Sequence, residues 1–146
     1  MIETYRHISI EGDVRFLKHT RSALDLLAEK FPSGLEMVQK YIGRIRQSER
    51  SGMDVYNNPP TFNVGEPTAY YSLPWYASTM VHDATHSRDY HKYRCSEVPL
   101  NVLFGQEAEL RCNKNQCRVL EAMEETYLSN YVRNLDGLHF HQEVTW

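Results

Sequence analysis

The stretch Met80-Val81-His82-Asp83-Ala84-Thr85-His86 concentrates the groups best suited to chemistry. Two histidines stand four residues apart, with a carboxylate directly after the first. On a helix, positions i and i+4 are neighbours on one face. The imidazoles of His82 and His86 can then converge on one cation, as two ligands of a tetrahedral zinc ion. Zinc acidifies its bound water, and a nearby carboxylate, here Asp83, can accept that water's proton. The chemistry implied is hydrolysis, in which the activated water attacks a carbonyl carbon.

A catalytic zinc site uses about three protein ligands and keeps one position open. Glu109 is the leading third ligand, with Glu107, His91 and Glu97 as alternatives. Glu109, Asn113, Gln116 and Leu120 follow 4, 3, 4 spacing and so share one helical stripe. Acidic and amide side chains aimed inward among apolar residues ask for a reason. A metal bound by Glu109, with Asn113 as its supporting partner, supplies one. The gap between His86 and Glu109 leaves room for one loop and a returning helix.

The elements that must hold these residues follow from pattern and punctuation. Arg6 to Ile10 alternates polar and apolar, which predicts a short strand. Asp13 can cap a helix running to about Lys30, with Phe16, Leu17, Leu24, Leu27, Ala28 and Phe31 facing the core. Pro32-Ser33-Gly34 breaks it, and Leu35, Val38, Ile42 and Ile45 mark a second helix over 35–47. Residues 51–60 read as loop. Thr61 to Val64 and Thr68 to Ser72 flank Gly65-Glu66-Pro67 and predict a hairpin. Pro74 suits the first turn of a helix over 75–90 that carries both histidines. Residues 95–104 form a connector. A long helix spans about 105–125, and a last helical piece holds Tyr127, Tyr131 and Leu135. The tail from Gly137 is extended or loose. The expected architecture is α+β, mainly helical, with a short sheet preceding the metal-binding helix. One domain divides into an N-terminal helical layer (1–60), the hairpin and metal-binding helices (61–125), and a C-terminal helix and tail (126–146).

The chain has 146 residues, 41% hydrophobic and 24% charged, an ordinary globular balance. With net charge −3 and mixed signs, it shows no electrostatic surface for nucleic acid. No apolar run approaches a membrane span, and the first residues lack a signal peptide's apolar core. The three cysteines, Cys95, Cys112 and Cys117, form no CxxC, which fits a reducing compartment and a cytoplasmic location. Cys112 and Cys117 lie five apart, so packing is their expected role. The sequence leaves oligomeric state open.

The order strand, His-x-x-x-His helix, then a later helix with Glu resembles the gluzincin branch of the zincin metallopeptidases. Those enzymes carry HExxH, where the Glu is the general base. Here Asp83 stands in that place, giving HDxxH with a carboxylate one methylene shorter. Glu109-Leu110-Arg111-Cys112-Asn113 is similar to the family's Glu-x-x-Ala-Asp/Asn motif, with Cys112 where Ala is usual. The resemblance covers roughly Thr61 to Ala122. It implies a small zincin-like domain with Zn2+ held by His82, His86 and Glu109, and Asp83 as base. It also implies Thr68 to Ser72 as an edge strand for a peptide or protein substrate. Tyr90, Tyr93, His91 and Tyr127 are candidates to stabilise the oxyanion.

Other readings use the same residues. His82-Asp83 is also the doublet of HD-domain phosphohydrolases, with His19 and Asp136 as the distant partners. A non-catalytic metal-binding or peptide-recognition domain is a third, and a polar helix face holding no ion a fourth. Ser87-Arg88-Asp89 reads as a solvated helix end. His139 and His141 would share a face of a strand at a chain end. Tyr70, Tyr71, Tyr76, Tyr90 and Tyr93 read as the wall around the site.

Overall fold

The computed structural model describes residues 1–94 and 105–135. It is an α+β arrangement in which helices cover a five-stranded mixed sheet. The sheet opens with a hairpin where the alternation predicts a single strand. Strands β1 (Ile2–Tyr5) and β2 (Ile8–Glu11) pair antiparallel across Arg6 and His7, at φ 49° and 68°. Two-residue hairpin turns with positive φ usually announce themselves through Asn or Gly, and this one does not. Tertiary bonds hold it instead: Arg6 Nε donates to Asp25 at 2.9 Å, and Gln39 Nε2 donates to the Arg6 carbonyl at 2.9 Å.

Helix α1 (Val14–Lys30) starts as expected, with the Asp13 carboxylate accepting from the Phe16 N–H. Helix α2 (Pro32–Tyr41) is shorter than its predicted span. Ile42 is already extended, and Arg44–Gln47 forms strand β3, which buries Ile45 alone between basic neighbours. The run Arg44-Ile45-Arg46 has a period of two, which the helical reading of Ile42 and Ile45 hid. Gly43 is required beside β3, since a Cβ there would lie 2.2 Å from Pro59. Strand β4 (Gly52–Asp54) lies within the segment read as loop.

Strand β5 (Thr61–Val64) is where the sequence places it, but its partners are β3, parallel, and β4, antiparallel. The expected return strand at Thr68–Ser72 is instead helix α3 (Glu66–Tyr70) and its exit. Pro67 sits in its first turn, where a missing N–H costs nothing. The Ser51 hydroxyl accepts from the Gly65 N–H at 2.9 Å and lies 2.6 Å from Thr68 Oγ1. The expectation of a peptide-binding edge at Thr68–Ser72 is thereby overturned. The sheet order is β1-β2-β3-β5-β4.

Helix α4 (Leu73–Tyr93) is the centre of the molecule. The Ser72 side chain caps it by accepting from the Trp75 N–H, and Pro74 lies in its first turn. It packs against α1, α2 and helix α5 (Gln106–Ala122). Helix α6 (Thr126–Arg133) packs on α5. The main core joins Ile8, Ile45 and Phe62 of the sheet to Phe16, Val38, Tyr76 and Met80 of the helices. No helix among the described residues is long and apolar enough to cross a membrane.

Candidate metal centre

Helix α4 is buried on nearly all sides between Trp75 and Asp89, although many of those residues are polar. Burying hydroxyls requires partners inside the protein. The helix supplies several from its own backbone. Ser78, Thr79 and Thr85 hydroxyls donate to the carbonyls of Trp75, Tyr76 and Val81 at 2.7–2.8 Å. Ser87 donates to the Tyr41 carbonyl, and Asp89 is buried against Arg88 and Arg111. The segment 87–89 is therefore a docked stretch within the helix, in place of the solvated helix end expected.

His82 and His86 come together as their spacing demands, with ring centroids 5.3 Å apart. From α5, the Glu109 carboxylate reaches both. Its Oε1 lies 2.7 Å from His82 Nε2, and its Oε2 lies 2.9 Å from His86 Nε2. His82 is fully buried and Glu109 nearly so, while the His86 side chain keeps 14% exposure. Glu107 is exposed, which singles out Glu109 as the inward carboxylate. His91 Nδ1 bonds the Ser87 carbonyl of its own helix at 2.7 Å, away from this cluster.

Gln116, not Asn113, is the amide that supports His82. Its Oε1 lies 2.8 Å from His82 Nδ1, and its Nε2 donates to Ser78 Oγ. Ser78 gives its own proton to the Trp75 carbonyl, so it can only accept from Gln116. The amide orientation follows, and His82 Nδ1 must be the donor to Gln116. The lone pair of a neutral His82 ring then lies on Nε2, facing a carboxylate oxygen at 2.7 Å. Two acceptors at that distance demand a cation, either a proton or a metal ion. Zinc bonds of about 2.0–2.1 Å would set tetrahedral ligand atoms about 3.3 Å apart. The carboxylate must therefore withdraw by roughly half an ångström to admit zinc.

The electrostatics fit a charged imidazole beside the carboxylate. Burial alone would raise the Glu109 carboxyl, but His82 and His86 outweigh it and hold the group at about 2. Burial disfavours charge on His86, yet Cys112 and Glu109 raise its pKa well above the usual imidazole value. This is an ion pair in a desolvated interior, with nearly all access to water removed.

Cys112 is the residue the sequence reading missed. His82, His86 and Cys112 each offer a ligand atom within 4.8 Å of one another, so this buried group could hold a metal ion. Its spacing was the available signal: Cys112 follows Glu109 by three, on the same helical face. Burial pushes its thiol up, His86 opposes this, and the charges of Glu109 and Asp83 add to it. Asp83 is thus buried within electrostatic reach of the cluster. Cys117 fulfils the packing role, beside Trp75 and Leu120, with Sγ 3.4 Å from the Ser129 carbonyl.

The tyrosines do not form one wall. Tyr76 is in the core, 2.7 Å from Thr20 Oγ1. Tyr70 stacks with His19 and Arg15, which places His19 against Tyr70. Tyr71 and Tyr127 border a different hollow, beside Trp75. Tyr90 packs against Tyr56 and His91. Glu97, Asp136, His139 and His141 lie outside the described residues. Comparison with protein-family models, curated proteins and solved structures finds no match to this chain.

Proposed function

We propose that this chain is a zinc-dependent hydrolase, acting on a peptide bond, with His82, His86 and Glu109 as metal ligands and Asp83 as general base. One observation carries the reading: Glu109 lies between two imidazoles inside the protein, one of them held by Gln116 with its lone pair toward the carboxylate. Buried carboxylate–imidazole clusters on packed helices are costly to desolvate and suit a cation. Zinc bound there would supply a Lewis acid and an acidified water. The chain's own residues do the rest. Gln116 fixes the His82 tautomer, α4 and α5 fix the distance between the ligand pairs, and Asp83 accepts the proton released as the carbonyl is attacked.

A closed, non-catalytic metal site is the second reading, favoured by Cys112 as a further donor. The test joins elemental analysis to activity on a mixed peptide library. Wild type should carry one zinc per chain, and His82→Ala and Glu109→Ala should lose it. Asp83→Asn should keep the zinc and lose turnover by about 100-fold or more, the scale of a general base. Full turnover in Asp83→Asn would refute the assigned base, and zinc without turnover in wild type would favour the closed site.

A further inference from the structure

We propose that Cys112 is a fourth protein ligand at this site, so that the metal rests closed and becomes accessible only when the thiolate swings away. The inference rests on the metal-site reading above and adds a latency to it. Cys112 is fully buried, with ligand atoms of two imidazoles within 4.8 Å of its sulfur and the charges of Glu109 and Asp83 acting on it. Glu109-x-x-Cys112 on α5 faces His82-x-x-x-His86 on α4, two ligand pairs from two packed helices. Nitrogen, oxygen and thiolate sulfur are the donors zinc takes, and four protein donors make a closed site. A thiolate also biases the site toward zinc or cobalt over magnesium, calcium or manganese.

Of the four groups, Cys112 is the one built to leave. His82 is anchored through Gln116, and Glu109 is held by two imidazoles. The cysteine has one side-chain torsion, and its sulfur's partner is His86, itself one of the four groups, so a change of rotamer removes it from the ion. Asp83 and Glu109 repel a thiolate, which weakens its hold further.

The test is the spectrum of the cobalt(II) form of the full chain, with acetohydroxamate as a small probe of an open metal position. Wild type should show a thiolate-to-cobalt charge-transfer band in the near ultraviolet. Cys112→Ser and Cys112→Ala should lose that band, and Cys117→Ser should keep it. Acetohydroxamate should shift the visible cobalt bands of Cys112→Ala and leave those of wild type unchanged. Visible bands that require His82 but come without a charge-transfer band would overturn the role of Cys112 and leave the metal reading standing. Folded Cys112 variants unable to bind cobalt would make the cysteine a fixed structural ligand and end the latency. A wild-type chain that takes up no cobalt would remove both readings.

Discussion

On one side of α4, Tyr76, Ala77, Met80, Val81 and Ala84 belong to the apolar core shared with the sheet, α1 and α2. On the other, Ser78, His82 and His86 meet Glu109, Cys112 and Gln116 of α5. Both sides exclude water, but for opposite reasons. The apolar side gains stability simply by leaving water, about 25 cal/mol per Å² of apolar surface. The polar side loses hydration and is sustained only by partners, each of which must be present for the others to be tolerated. A single helix thus carries a self-sufficient face and one that depends on its polar partners.

Substitutions on the two faces should separate in their response to zinc. Glu109→Gln leaves buried imidazole charge uncompensated and should destabilise the metal-free protein by about 3–5 kcal/mol. Zinc at about a thousandfold excess over its Kd should add about 4 kcal/mol to wild type, and none of that increment should survive in Glu109→Gln. Met80→Ala should cost about 2–5 kcal/mol through its cavity, while keeping the full zinc increment. Denaturant titration with and without zinc reads both.

A smaller effect sharpens the contrast. Gln116→Leu preserves volume but frees the His82 ring, and should weaken zinc about 10–100-fold without touching the ligands themselves. Competition against a chromogenic chelator measures it, and an unchanged affinity would mean the amide does not position His82.

Acidity should probe the polar face more gently. The folded pKa of Glu109, about 2, lies below its ordinary 4.5. Its contribution is therefore present above 4.5 and lost as pH falls toward 2. His86 is raised above 6.5, so its contribution is present below 6.5 and lost as pH rises through its higher folded value. Metal-free protein should be best stabilised by this pair between those limits. Zinc must displace the His86 proton, so the rise in Tm that it produces should grow toward alkaline pH. A zinc effect independent of pH would argue that His86 is not a ligand.

The residues that define helices by local chemistry were legible: Asp13 as a cap, Pro74 in a first turn, and the inward stripe Glu109, Asn113, Gln116, Leu120. The convergence of His82 and His86 was legible because i, i+4 spacing fixes two side chains in space whatever packs around them. What escaped depends on contacts distant in sequence. The Arg6-His7 turn is held by Asp25 and Gln39, and β3 is a strand because β2 and β5 flank it. Thr68 to Ser72 has β-forming residues, yet Pro67 and Ser51 start a helix there. Gln116 took the role assigned to Asn113 because the rotation of α5 against α4 chose between two amides on one stripe.

The most direct measurement is an anomalous difference map at the zinc edge from crystals grown with zinc. The expected result is one peak about 2.0–2.3 Å from imidazole nitrogens of His82 and His86 and from a Glu109 oxygen. A Glu109 carboxylate still hydrogen-bonded between the two rings, with zinc elsewhere or nowhere, would contradict the central claim.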